Sequence, residues 1–271
     1  MHPTQLHSLF GLKWNPFSPD VPVEALWCPP ELESFCSRID ALVRDGGFAL
    51  VSGDPGTGKS VALRRLAHHL AATPDILVAS LARPQSGLAD FYRELGDLFG
   101  VPLKPHNRWA GFKSLRQSWI SQMEASRCRP VVLVDEAQEL LPPVLAELRI
   151  LASTDFDSKN LLTVVLAGDH RLVRQLQRDD LLPIASRIRV RLPLGYLRPP
   201  QLLAWLDHAL EQAGRADLMT PEVKATLTEH AAGNLRLLAH MGHDLLTEAT
   251  HKQLPHIDHK LYLELFATTR R

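Results

Sequence analysis

The sequence predicts an α/β protein, a three-layer α/β/α arrangement around a parallel sheet, followed by a small all-helical C-terminal domain. Three observations carry that prediction. Short apolar runs recur at 48–53, 75–80, 130–136, 161–169 and 187–192, with room for a helix between most of them. Most show no polar alternation, as strands covered on both faces require. Beyond about residue 198 these runs stop and helical spacing continues alone.

Taken in order, residues 1–30 hold prolines at 3, 16, 19, 22, 29 and 30 and read as an extended arm. A helix follows at "PPELESFCSRIDALVRD", then the strand "FALVSG". Between the second strand, "DILVAS", and the third, "PVVLVDE", lie two segments of helical period. The first puts Leu88, Phe91, Tyr92, Leu95, Leu98 and Phe99 on one stripe; the second does the same with Phe112, Leu115, Trp119 and Met123. "LLTVVLAGD" and "RIRVRL" complete the strands. "PPQLLAWLDHALEQAG", "TPEVKATLTEHAAG" and "NLRLLAHMGHDLLTEATHK" then read as helices, with Thr220 as an N-cap and Gly214 and Gly233 as stops.

Composition narrows the setting. Among 271 residues, 30 basic side chains balance 30 acidic ones, so no global positive field draws in nucleic acid and any DNA contact needs a local patch. Cys28, Cys36 and Cys128 form no C-x-x-C pair, which argues against a disulfide framework or zinc site and fits a reducing cytosol. The start "MHPTQLHSLF" lacks the regions of a signal peptide, and no apolar run approaches the roughly 20 residues that span a bilayer. A soluble, cytoplasmic protein without membrane contact is expected. The thirteen histidines show no ligand-like spacing and read as solvated.

The stretch "GDPGTGKS" satisfies G-x-x-x-x-G-K-[ST] between a strand and a helix. Its glycines, Gly53 and Gly58, let backbone N–H groups converge on phosphates at the positive end of the following helix. Lys59 would reach the β- and γ-phosphates of ATP, and the Ser60 hydroxyl would ligate Mg²⁺. Further on, "PVVLVDEAQ" ends a strand in two acids. Asp135 would hold Mg²⁺ directly or through water, and Glu136 would orient and deprotonate the attacking water. Together the two sites predict an ATPase. Ser80, ending the second strand, is placed to hydrogen-bond Glu136 and restrain it.

These residues resemble the AAA+ superfamily, and more narrowly the clade of the secretion ATPase ExeA and the transposition helper ATPases TniB and TnsC, with MuB more distant. "LFGLKWNPFSPD" is similar to the clade's N-terminal signature, and "GDPGTGKS", "VLVDEAQELLPPVLAELRIL" and "LTVVLAGDHRLVRQL" follow at its spacing. The resemblance implies an AAA+ P-loop domain over 35–197, an arm over 1–34 that brings Phe17 near the adenine, and a helical lid over 198–271. It implies nucleotide contact along Gly53, Asp54, Pro55, Gly56, Thr57, Gly58, Lys59, Ser60 and Val61. Asp169 falls at the sensor-one position, where relatives often carry Gln. Arg187 in "PIASRIRVRL" matches an arginine finger that would act on a neighbouring subunit's nucleotide, and Arg236 in "AAGNLRLL" matches the sensor-two arginine of the lid.

The function so implied is an ATP-driven regulator that self-assembles as a ring or filament on duplex DNA, without sequence preference, and recruits a DDE-type transposase. Lys104, Arg108, Lys113 and Arg116 form the candidate phosphate-contacting patch. The alternative is an energy-supplying subunit of an ExeA-like secretion or envelope system. Its members look like this core joined to a membrane-spanning segment and a peptidoglycan-binding domain, neither of which these 271 residues contain.

Overall fold

A computed structural model describes residues 3–82, 84–103, 107–155 and 158–266. Its contacts divide the chain into two units. The larger comprises Cys28–Pro55 and Lys59–Leu194; the smaller comprises Met1–Trp27, Gly56–Gly58 and Gly195–Arg271.

The larger unit is built on a five-stranded sheet. Its strands are β1 (Gly47–Gly53), β2 (Ile76–Leu81), β3 (Arg129–Val134), β6 (Thr163–Gly168) and β7 (Ile188–Leu194), in the order β2-β3-β6-β1-β7. Every pairing is parallel. Two-residue strands β4 (Ser153–Thr154) and β5 (Lys159–Asn160) form a separate antiparallel pair. All five apolar runs of the sequence are therefore strands of one sheet. Side chains alternate across it, so each run feeds two cores. Phe48, Leu50, Val132, Val134, Val164 and Leu166 face one way, beneath helices α4 (Leu88–Leu98), α5 (Arg108–Ser126) and α6 (Pro142–Ala152). Ala49, Val51, Val131, Leu133, Val165 and Ala167 face the other, beneath α2 (Pro30–Asp45) and α3 (Lys59–Ala71). Only β7 alternates in polarity, with Ile188, Val190 and Leu192 buried and Arg189 and Arg191 exposed. Ile188 packs in the first core and, past a register shift, Val190 and Leu192 pack in the second; β7 is an edge strand, and charge on it discourages further pairing.

Helix α2 runs across the boundary read at residues 34 and 35, and Phe35, Cys36 and Ile39 pack on the sheet. The whole helix thus belongs to the larger unit. Burial pushes the Cys36 thiol up to about 11, so it stays protonated. All three cysteines are unpaired.

The smaller unit corrects the reading of an extended arm. Residues Pro3–Phe10 form helix α1. Pro3 stands at its first position, where a missing N–H costs nothing, and no other proline intervenes before Pro16. Leu6 and Phe10, four apart, are buried with Leu12 and Phe17 in one apolar core. That core is completed by α9 (Pro199–Gln212), α10 (Pro221–His230), α11 (Leu235–His251) and α12 (His259–Phe266). Thr220 caps α10 through the Val223 N–H, and the Asn234 side chain caps α11 through the N–H groups of Arg236 and Leu237. His208 is half-buried, its Nε2 3.0 Å from the Ala25 carbonyl oxygen, so it is not one of the solvated histidines.

Candidate functional site

Strands β1, β6 and β3 lie side by side and end at the same edge, because Ser52 pairs with Gly168 and Val134 with Leu166. The carboxyl edge of a parallel sheet is where open α/β folds place ligands. Here it brings the phosphate-loop motif, the acid pair and Asp169 onto neighbouring strand ends.

The motif runs from Gly53 at the end of β1 to Lys59 at the start of α3. Gly56 (φ 85°) and Gly58 (φ 99°) occupy backbone conformations that L side chains rarely adopt. Thr57 and Lys59 are buried, while Asp54, Pro55, Ser60 and Val61 are exposed. The Lys59 ammonium donates to the carbonyl oxygens of Gly53 (2.9 Å) and Asp54 (3.3 Å). Among the described residues no carboxylate pairs with it. A cation that is 6% exposed and held by carbonyl dipoles keeps its charge, and a phosphate fits beside it. The first turn of α3 carries no acidic residue, which leaves its positive end available to the same group. Ser60 at that turn and Asp135 supply the hard oxygen donors that Mg²⁺ takes.

The acids follow β3. Asp135 is half-buried, and its Oδ1 accepts the Glu136 N–H at 2.9 Å. Glu136 is exposed and stands in the left-handed region (φ 49°, ψ 42°), an uncommon conformation for a residue with a Cβ. Its carboxylate takes a hydrogen bond from the Gln138 side-chain amide. Ser80 lies on the exposed end of β2, and the partner of Glu136 among the described residues is Gln138 instead.

Asp169 is buried at the end of β6 and caps helix α7 (His170–Gln175), accepting the Arg171 N–H at 2.8 Å. Its other oxygen pairs with Arg171 Nε at 2.9 Å, and Arg171 continues to Glu139 at 3.0 Å. Burial alone would raise its carboxyl, but the hydrogen bonds and charge of Arg171 outweigh it and hold the group below the usual carboxylate range. Both carboxylate oxygens at the sensor-one position are thus engaged by Arg171.

The remaining candidates are spread more widely. Arg187 is half-buried and donates to the carbonyl of Pro183 in the short helix α8 (Leu182–Ala185). Arg236 is exposed in the first turn of α11; within the smaller unit its backbone N–H donates to the Gly56 carbonyl at 3.3 Å. Phe17 is buried in the core of the smaller unit. In the expected basic patch, Lys104 lies outside the described residues. Arg108 is paired with the buried Glu147, which also takes the Tyr92 hydroxyl. Arg116 donates to the carbonyls of Ile150 and Ser153, and the Lys113 ammonium lies 5.0 Å from the Trp109 ring centroid. Two of the three described cations are therefore committed to holding α5 in place. Sequence reasoning missed Gln138, Arg171 and Glu147, although Gln138 follows the acid pair in "PVVLVDEAQ" and Arg171 stands two residues after Asp169.

Residues 43–176 match the family model described as AAA domain. The fold agrees: Cdc6p from Pyrobaculum aerophilum superposes with a TM-score of 0.67 at 16% identity, over 89% of this chain and 67% of that one. The ORC1 protein of Aeropyrum pernix, solved in complex with DNA, gives 0.69 at 16% identity, over 94% and 68%. The larger unit accordingly has the AAA+ P-loop α/β fold. At the level of sequence, the chain is 33% identical over 235 residues to General secretion pathway protein A of Aeromonas hydrophila, a match spanning 84% of this chain and 42% of that protein. The chain thus spans less than half the length of this curated relative.

Proposed function

We propose that the protein binds ATP with Mg²⁺ and hydrolyses it. The observation that carries this is the buried Lys59 ammonium, paired among the described residues with carbonyls, with the acid pair at the end of β3 across the one intervening strand, β6. Lys59 and the N-terminus of α3 would grip the β- and γ-phosphates. Ser60 and Asp135 would hold Mg²⁺, which when bound neutralises charge on those phosphates. Glu136 would orient the attacking water and take its proton. Arg187 of a second copy would supply the cation that completes the site, so that turnover follows self-assembly. Equilibrium dialysis of ATP and Mg²⁺ against the full chain, with phosphate release measured across protein concentrations, tests the proposal. A chain that retains no ATP, or that hydrolyses equally well when dilute, is incompatible with it.

The 33% identity to a general secretion pathway protein favours an ATPase module of an ExeA-like secretion or envelope system. The 271 residues do not weigh against this, because they cover only 42% of that relative. Among the described residues no helix is long and apolar enough to cross a membrane. A second reading, ATP-dependent assembly on duplex DNA, is supported by the likeness to an ORC1 protein solved with DNA. The internal engagement of Arg108 and Arg116 weakens it on α5. Recruitment of a transposase rests on the sequence resemblance alone. ATP-dependent retention of duplex DNA on a filter separates the two readings.

A further inference from the structure

We propose that Gln138 is the positioning residue of Glu136, fixing the carboxylate against the end of β6. This rests on the reading of Glu136 as the group that activates water. Gln138 sits in a one-turn helix, Ala137–Glu139, directly after the acids. Its Oε1 accepts the backbone N–H of Asp169 at 3.2 Å, and its Nε2 donates to Glu136 Oε2.

The direction of this carboxamide is not free. A backbone N–H can only donate, so it selects the oxygen end, and the NH₂ must then point at a group that accepts. An ionised carboxylate is such a group. The space is close as well: a Cβ on Gly168 would stand 2.7 Å from Gln138 Oε1 and 2.7 Å from Leu172 Cδ2, so the amide and Leu172 share the room left by a missing side chain. Gly168 pairs with Ser52 of β1, which leads straight into the phosphate loop. One side chain therefore ties the acid at the end of β3 to the strand that abuts the loop. Glu136 needs such a tie, because it is exposed and a Glu side chain has three torsions to fix before its carboxylate holds one position.

The test compares steady-state ATP hydrolysis by the full chain, at a concentration where it self-associates, for the parent, Gln138→Met, Gln138→Glu and Glu136→Gln. Gln138→Met keeps the shape and removes the amide; kcat should fall about 10- to 100-fold with KM within about twofold. Gln138→Glu, isosteric but unable to donate when ionised, should fall at least as far. In single-turnover runs on a Glu136→Gln background, adding Gln138→Met should cost nothing further. Parental kcat in either Gln138 variant overturns the proposal, so a Met variant that fails to fold leaves the Glu variant to decide. Equal losses in both backgrounds overturn it too, because Gln138 would then act without Glu136. If Glu136→Gln itself turns over at the parental rate, the assignment of the base falls, and this inference with it. If Glu136→Gln is inactive while Gln138→Met is parental, only the positioning role falls.

Discussion

The Lys59 ammonium lies 2.9 Å from the carbonyl oxygen of Gly53, the residue six positions earlier that ends β1. The loop between them is thereby closed on itself around a positive charge. Two carbonyl dipoles engage two of the ammonium's three donors without neutralising it, so the loop keeps an attraction for anions.

That arrangement separates binding from chemistry. Lys59→Ala should weaken ATP affinity by about 2–3 kcal/mol, roughly 30- to 150-fold in Kd, as expected for loss of a hydrogen bond to a charged group. Glu136→Gln should keep the parental Kd and lose about 10²- to 10⁴-fold in turnover. Calorimetric titration with ATP and a phosphate-release assay on the same preparations check both. Lys59→Ala with unchanged affinity would remove the basis for a phosphate site here.

Arg187 donates to the Pro183 carbonyl within its own chain. For a residue that is to meet a neighbour's nucleotide, such a contact must be exchanged on assembly. Arg187→Ala should therefore leave ATP affinity unchanged and cost about 10³-fold in turnover only where the chain self-associates. Rates measured from dilute to concentrated protein decide this. An equal loss at every concentration would mean that the arginine acts within its own subunit.

The pair Arg108–Glu147 is asymmetric. The Glu147 side chain is 5% exposed, that of Arg108 57%. Removing the arginine strands a buried carboxylate with the Tyr92 hydroxyl as its remaining side-chain partner, whereas removing the acid releases an arginine into water. Arg108→Ala should thus destabilise the chain by about 1–3 kcal/mol in urea unfolding, and Glu147→Gln by less. The same Arg108→Ala chain should retain DNA, if the parent does, with an unchanged salt slope. A reduced slope would return Arg108 to the phosphate-contacting patch.

Asp169 gives the fold an acid-sensitive element. Its carboxyl titrates below the unfolded value of 3.8 because Arg171 holds it ionised. The stability it contributes is therefore complete above that value and is lost as pH falls through the lower folded one. The difference in melting temperature between the parent and Asp169→Asn should be constant from neutral pH down to about pH 5 and shrink below it. A difference that grows in acid would show that the carboxylate is not the stabilising form.

Much of the fold and of the candidate site is legible in the sequence alone. The five strands, the phosphate loop and the acid pair are local: an apolar run, a glycine spacing and a strand ending in Asp135-Glu136 each declare themselves over a few residues. What sequence did not show is partnership at a distance. Glu147 and Tyr92 are 55 residues apart, Gln138 and Asp169 are 31 apart, and nothing in either neighbourhood announces the other. Ser80 ends a strand and so reads as the holder of Glu136, but the carboxylate takes the amide of Gln138, two residues along the chain. The six prolines of residues 1–30 suggest an extended arm, but none falls between Pro3 and Pro16, which leaves Pro3–Phe10 free to form α1.

Resemblance puts Phe17 near the adenine, whereas the structure encloses its ring, 6% exposed, in an apolar core over Gly242. Its backbone N–H is tied to Asn15 Oδ1 at 2.9 Å, and Asn15 Nδ2 lies 2.9 Å from His243 Nδ1 on α11, so the turn is anchored on both sides of the ring. A large side chain so enclosed contributes chiefly by packing. Phe17→Ala should cost about 3–5 kcal/mol of stability, and Phe17→Leu much less because volume is largely kept. At a temperature where Phe17→Leu is fully folded, its ATP affinity should match the parent, since an aliphatic side chain fills the core but cannot stack on a base. Weaker binding by that folded variant, with an unshifted melting curve, would place the ring against the nucleotide and make the N-terminal segment part of the adenine site.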